Sequence, residues 1–139
     1  MILLDTNVLS ELMRPEPSAP VVRWVSSRPG GSQYTTSITQ AEILHGILLL
    51  PAGRRRARLQ AAAEAMFAED FAGRVLGFGP EAALPYAHVA AERRAVGRPI
   101  SHFDAQIAAI ARACGASVAT RNVGDFEGCG VTVVNPWAG

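Results

Sequence analysis

The chain has 139 residues, 49% of them hydrophobic and 18% charged. That is enough apolar material for one domain with a buried core, and it excludes a disordered or collagen-like polymer. The formal net charge is +1, so the average field does not announce a polyanion partner.

The opening residues Ile2 to Leu4 form a short apolar run ending at Asp5, Thr6 and Asn7, the pattern of a buried strand running into a helix cap. A short helix from Val8 to Met13 is predicted next, stopped by Pro15 and Pro17. Val21, Val22, Trp24 and Val25 mark a second helix, ended by Pro29, Gly30 and Gly31. Gln33 to Thr36 reads as a strand. Thr39 is expected to open a helix whose apolar positions Ile43, Leu44, Ile47 and Leu48 fall on helical spacing. Pro51 to Gly53 breaks it, and an Ala-rich helix is expected from about Arg54 to Phe71. Arg74 to Phe78 is the next strand candidate. Pro80 suits the first turn of a helix reaching about Val96, within which Pro85 implies a kink. Ser101 caps a further helix with Ile107, Ala108, Ile110 and Ala111 on one face, closed by Gly115. Ser117 to Thr120 is a strand, Asn122 to Phe126 a turn or short helix, and Val131 to Val134 a last strand. Short apolar strands alternating with helices predict a three-layer α/β/α sandwich with a mostly parallel central sheet, as a single domain over residues 1–139. The Arg54 to Val96 stretch reads as an elaboration of that domain.

No apolar stretch approaches a membrane span, and the N-terminus carries neither a basic leader nor a signal-type segment, so a cytoplasmic location without membrane attachment is expected. Cys114 and Cys129 lack C-x-x-C spacing and are expected to be reduced thiols. His45, His88 and His102 are isolated, without the spacing of a zinc site. Gly77 to Ala82 satisfies a relaxed G-x-G-x-x-A pattern, but Pro80 removes a turn donor and no acid follows at the ribose-binding distance.

The chemistry is expected from the acids. Asp5 and Asp125 follow predicted strands, while Glu42 and Asp104 sit in first helical turns. Ligands of open parallel sheets bind outside the carboxyl ends of the strands, so carboxylates distant in sequence have a physical reason to meet there. Like charges a few ångströms apart raise one another's pKa unless a cation compensates. An oxygen-only set without His or Cys selects a hard ion, Mg²⁺ or Mn²⁺. Singly, each acid also has a bland reading. Thr39 to Glu42 matches a capping box, Ser101 to Asp104 fits a weaker version of it, Asp5 can cap a helix, and Asp125 can stabilise a turn. The collective placement favours a metal site.

The segments Met1 to Glu11, Thr39 to Glu42, Asp104 to Ala109, Ala119 to Phe126 and Asn135 to Trp137, in this order and spacing, resemble the PIN domains, and among them bacterial toxin nucleases of the VapC and FitB kind. The resemblance spans the chain end to end. It implies that Asp5, Glu42, Asp104 and Asp125 are the catalytic, metal-binding quartet, with Asp5 and Asp104 central, and that Thr6, Thr120 and Asn122 support them. Some relatives carry an acid where this chain has Asn122. It further implies a Mg²⁺-dependent endoribonuclease that hydrolyses RNA phosphodiester bonds. Such a protein is the toxin of a type II toxin–antitoxin system, with a cognate antitoxin whose tail blocks the acidic pocket, and with a homodimeric assembly. Two other classes remain open: a non-catalytic nucleic-acid- or partner-binding regulator of the same fold, and another metal-dependent phosphoryl hydrolase. Asn7, where an Asp-nucleophile phosphatase usually wants a second Asp, counts against the latter.

All 13 basic residues are Arg, which suits bidentate phosphate recognition and equally reflects an Arg- and Ala-rich coding bias. Arg54, Arg55, Arg56 and Arg58 form the one dense basic run. They read either as an RNA-backbone contact or as a solvated helix face whose charge opposes the macrodipole. Arg93, Arg94 and Arg98 form a looser set with the same two readings.

Overall fold

In the computed structural model, which describes residues 1–138, the strands are β1 (Ile2–Leu4), β2 (Gln33–Thr36), β3 (Val75–Leu76), β4 (Ser117–Ala119) and β5 (Val133–Val134). All are parallel, in the order β3-β2-β1-β4-β5. The order runs outward from β1 in one direction and then restarts on its other side, so the switch point lies between β1 and β4. In register, Leu3 faces Val118 and Leu4 faces Ala119.

Side-chain alternation divides these strands between two cores. Ile2, Leu4 and Ala119 pack with Val8 and Leu9 of α1 (Thr6–Leu12), Val21 and Trp24 of α2 (Ala19–Ser26), Ile43 and Ile47 of α3 (Ser37–Leu48), and Ala63 of α4 (Arg54–Ala65). Leu3 and Val118 point the other way, into a core shared with Val89 of α5 (Ala83–Ala95) and Ile107 and Ile110 of α6 (His102–Cys114). Leu3, Leu9, Val89 and Val118 are wholly inaccessible, and each such side chain stabilises the fold by about 1.5–3 kcal/mol relative to exposure. A sheet covered on both faces is the expected three-layer α/β/α sandwich. No helix among the described residues is long and apolar enough to cross a membrane.

Several boundaries differ from the sequence reading for local reasons. α3 begins at Ser37, because Thr36 rather than Thr39 is its cap: Thr36 Oγ1 accepts from the Thr39 N–H at 3.1 Å. Thr39 is thereby buried inside the first turn, and Glu42 is released from any capping box. The long Ala-rich helix changes character at Met66, where a π-helical turn, Met66–Asp70, carries the chain to Phe71. Pro85 needs no kink. A 3-10 turn, Pro80–Ala82, precedes α5 and leaves Pro85 in its first turn, where the missing N–H has no intrahelical partner to lose. β3, inside the presumed elaboration, is an edge strand of the sheet. α6 is capped by Ser101, whose Oγ accepts from the Asp104 N–H at 3.1 Å, and Gly115 ends it at φ 68°. That is the left-handed geometry glycine adopts at no steric cost. Both cysteines are free thiols, Cys129 buried and Cys114 exposed.

Candidate metal centre and active site

Asp5 is the first residue beyond β1, and Thr120 the first beyond β4. Because Leu4 lies beside Ala119, these two fall side by side. The Asp5 N–H donates to Ala119 O at 3.0 Å, and Thr120 Oγ1 donates to Asp5 Oδ2 at 2.8 Å. The Thr6 N–H holds the other oxygen, Oδ1, at 2.8 Å. Thr120 is a hub, since its Oγ1 also accepts from Asn7 Nδ2 at 3.0 Å and from the Asn122 N–H at 3.1 Å. Asn7 Oδ1 in turn accepts from the Arg121 N–H at 3.1 Å. Parallel pairing thus delivers both partners to one point, and a side-chain network fixes the carboxylate there.

Glu42 reaches the same rim from α3. Its Oε1 accepts from Thr6 Oγ1 at 2.9 Å, and Thr39 Oγ1 lies 3.3 Å from Thr6 Oγ1. Asp104 arrives differently from the other acids. No strand precedes it: α5 and a turn do, and α6 then runs back toward the start of β4. A helix leading into a strand places its N-terminus at that strand's carboxyl end, so Asp104 still reaches the rim. Asp125 sits on the 3-10 turn Val123–Phe126 after β4, anchored by buried Phe126.

All four acids line one cleft of about 560 Å³, together with Thr6, Asn7, Ser10, Glu11, Arg14, Arg121, Asn122 and Trp137. Asp5 is 5% exposed. Burial pushes its carboxyl up from an ordinary 3.8 to about 6. The charges of Asp104 and Glu42 add to this, and the hydrogen bonds from Thr6 and Thr120 oppose it. Burial also raises Glu42, with Asp104 adding and Thr6 opposing. Asp104 is raised by burial first and Asp125 second, against the Ser101 hydroxyl and the Arg93 charge. Among the described residues none of the four is in an ion pair. Nor, among the described residues, do three His, Cys, Asp or Glu side chains stand close enough together to hold a metal ion as they are placed. The cleft carries more acidic than basic side chains, Asp5, Glu11, Glu42, Asp104 and Asp125 against Arg14 and Arg121. An all-oxygen anionic donor set of this kind fits a hard divalent cation that keeps part of its own hydration.

Arg55 lies on a neighbouring groove that shares Thr6, Ser10, Arg14 and Glu42 with the cleft. Arg54, Arg56 and Arg58 line neither, and Arg56 Nη1 turns back to Leu50 O at 3.5 Å. The basic residues on the acidic cleft itself are Arg14 and Arg121, which the sequence reading passed over. Arg14 pairs with Glu11 at 3.4 Å, and the Arg121 guanidinium lies 5.2 Å from the centre of the Trp137 ring. The Asn135-Pro136-Trp137 closing segment was the available signal for that wall. His102 is not on the cleft; its Nδ1 lies 2.8 Å from Tyr86 Oη.

The fold and site together define an open parallel α/β protein that gathers carboxylates at its topological switch point. The chain belongs to the PIN-domain family, whose model matches residues 2–127. It is 45% identical over 137 residues to the plasmid stability protein StbB of Pseudomonas syringae pv. tomato, with 99% of each chain covered. It is 41% identical to the VapC ribonuclease Y4jK of Sinorhizobium fredii, covering 99% of this chain and 98% of that one. Identity to the toxin FitB of Neisseria gonorrhoeae is 40%, with 99% of each covered. Among solved structures, FitAcB from Neisseria gonorrhoeae superimposes with a TM-score of 0.92 at 40% identity, covering 99% of both chains.

Proposed function

We propose that this protein is a Mg²⁺-dependent endoribonuclease, the toxin of a type II toxin–antitoxin pair, with Mn²⁺ as an alternative ion. The observation that carries the reading is the one cleft that Asp5, Glu42, Asp104 and Asp125 line from four separate segments, none of them in an ion pair among the described residues. The ribonuclease name borne by a relative at 41% identity supports RNA as the substrate, and the toxin name of another at 40% supports the toxin role.

Asp5 and Asp104 are the central ligands in this reading, and Glu42 and Asp125 complete the set. The bound ion supplies Lewis acidity for an in-line phosphodiester displacement. Thr120 keeps Asp5 Oδ2 oriented, Thr6 does the same for Glu42, and Asn122 stands beside them at the mouth to orient substrate or water. Arg14 and Arg121 offer guanidinium groups to the phosphates flanking the cut, which an acidic cleft otherwise repels. A homodimer, a cytoplasmic setting and an antitoxin segment that fills the acidic cleft belong to the same proposal.

The test is cleavage of a single-stranded RNA by wild type and by Asp104→Asn, each with Mg²⁺ and with chelator. Cleavage confined to the wild type with Mg²⁺ is expected. Equal cutting by the variant, or in chelator, overturns the reading.

A further inference from the structure

Arg93 projects from the last turns of α5 and is 6% exposed. A buried guanidinium normally sits against a carboxylate; among the described residues, none is in salt-bridge contact with this one. It donates to backbone carbonyls instead. Nε bonds Arg98 O at 2.7 Å, and Nη1 bonds Asp125 O at 3.0 Å and Glu127 O at 2.8 Å, with Cys129 Sγ at 3.9 Å. These acceptors belong to two different segments. Arg98 lies in the turn that leads into Ser101 and α6, hence to Asp104. Asp125 and Glu127 lie on the turn after β4. The first turn is itself closed onto α5, since the Arg98 N–H donates to Arg93 O at 2.9 Å. Arg98 adds an exposed tie to the second turn, donating from Nη1 to Glu127 Oε2 at 2.8 Å and from Nη2 to Gly124 O at 3.2 Å.

We propose that Arg93 is a positioning residue that brackets the turn leading into α6, and so to Asp104, against the turn carrying Asp125, and so sets how well that half of the cleft takes up a divalent cation. Its burial removes it from the phosphate-binding reading. Its planar fork reaches two segments at once, which a Lys ammonium at the end of a single stem does not reproduce. The inference rests on the metal-dependent reading of the cleft, and it predicts that ion binding changes before RNA binding does.

The experiment measures Mn²⁺ binding by calorimetry, together with kcat and KM for RNA cleavage, in wild type, Arg93→Lys, Asp125→Asn and the double variant. Arg93→Lys is expected to weaken Mn²⁺ binding by about tenfold, the usual effect of removing a group that supports metal ligands. It should lower kcat and leave KM for RNA unchanged. Because Arg93 acts partly through Asp125, the loss on adding Arg93→Lys to Asp125→Asn is expected to be smaller than in the wild-type background. Arg98→Gln, which cuts only the exposed tie, serves as a milder variant should Arg93→Lys fold poorly; a smaller loss of Mn²⁺ affinity in the same direction is expected. Unchanged Mn²⁺ affinity in both Arg variants, or fully additive losses in the cycle, overturns the proposal. A rise in KM alone assigns Arg93 to RNA contact and overturns it too. Wild type that binds Mn²⁺ without cutting RNA removes the ribonuclease reading and leaves the bracket standing. Wild type that binds no Mn²⁺ removes both.

Discussion

Replacing Asp5 by Asn should make the metal-free protein more stable at alkaline pH, although it removes one of the two residues proposed to be central to activity. The Asp5 carboxyl is raised from 3.8 to about 6 in the fold. A raised acid binds its proton more tightly when folded, so its ionisation opposes folding. The cost is absent below the unfolded pKa, grows as pH rises from about 4 to about 6, and is complete above that. The full displacement corresponds to about 3 kcal/mol, of which about half accrues between about pH 5 and about pH 8. Asn carries no charge and can still accept from the Thr6 N–H. Its amide end, however, faces Thr120 Oγ1, which donates to Asp5 Oδ2 and already accepts two other bonds. Losing that bond costs about 1–1.5 kcal/mol. The net expectation is a variant about 1–2 kcal/mol more stable than wild type near pH 8 and close to equal near pH 5. Urea denaturation in chelator at both pH values reads this directly. A difference that does not grow between pH 5 and pH 8 would refute the account of Asp5 as a carboxylate ionised against its burial.

Three further outcomes follow from the same geometry. Millimolar Mn²⁺ should stabilise wild type, by about 1.4 kcal/mol at ten times its dissociation constant, and should not stabilise Asp104→Asn; an equal melting-temperature shift in both would argue against a carboxylate site. Thr120→Val keeps the side-chain shape but removes the donor to Asp5 and the acceptor for Asn7 and Asn122, at an expected cost of about 2–3 kcal/mol. Chemical denaturation checks this, and a loss below about half a kilocalorie would show the hub to be dispensable. Arg121→Ala should raise KM for RNA several-fold with kcat little changed. It should also lower the salt slope of binding by about 0.7, the value of one phosphate contact on a single strand; replacing Arg54 and Arg58 together should leave that slope unchanged.

Much of the fold was readable because it is written locally. Ile2 to Leu4, Gln33 to Thr36 and Ser117 to Ala119 are short apolar or β-branched runs between breakers, and α6 shows its cap, its apolar face and its terminal glycine in sequence. What misled was competition between neighbouring caps. Thr36 and Thr39 are both good N-cap residues, and only the buried contact of Thr39 beneath Thr6 decides that Thr36 takes the role. Pro85 looked like an interior proline because the 3-10 turn before α5 is too short to register as a separate element. The strand in the Arg74 to Phe78 region was foreseen, but its place in the sheet was not, since edge pairing leaves no local mark.

The four acids divide along the same line. Their residue type and their places at element ends are properties of the chain, and with them came the expectation of a hard-cation site. Asp5 does cap α1 and Ser101 does cap α6 at Asp104; the cap reading that failed, that of Glu42, failed for a tertiary reason. Glu42 is no capping residue, because the Thr6 hydroxyl from another segment holds it. Asp104, which follows no strand, joins the others because α6 leads back into β4. Arg93 shows the limit most plainly. In sequence it is one of several arginines near the end of a helix, with no local feature to distinguish it from Arg94. Only the folding of the distant turn after β4 against the end of α5 makes it a buried bracket, because burial and long-range hydrogen-bond partners depend on strand order and connection, which neighbouring residues along the chain do not encode.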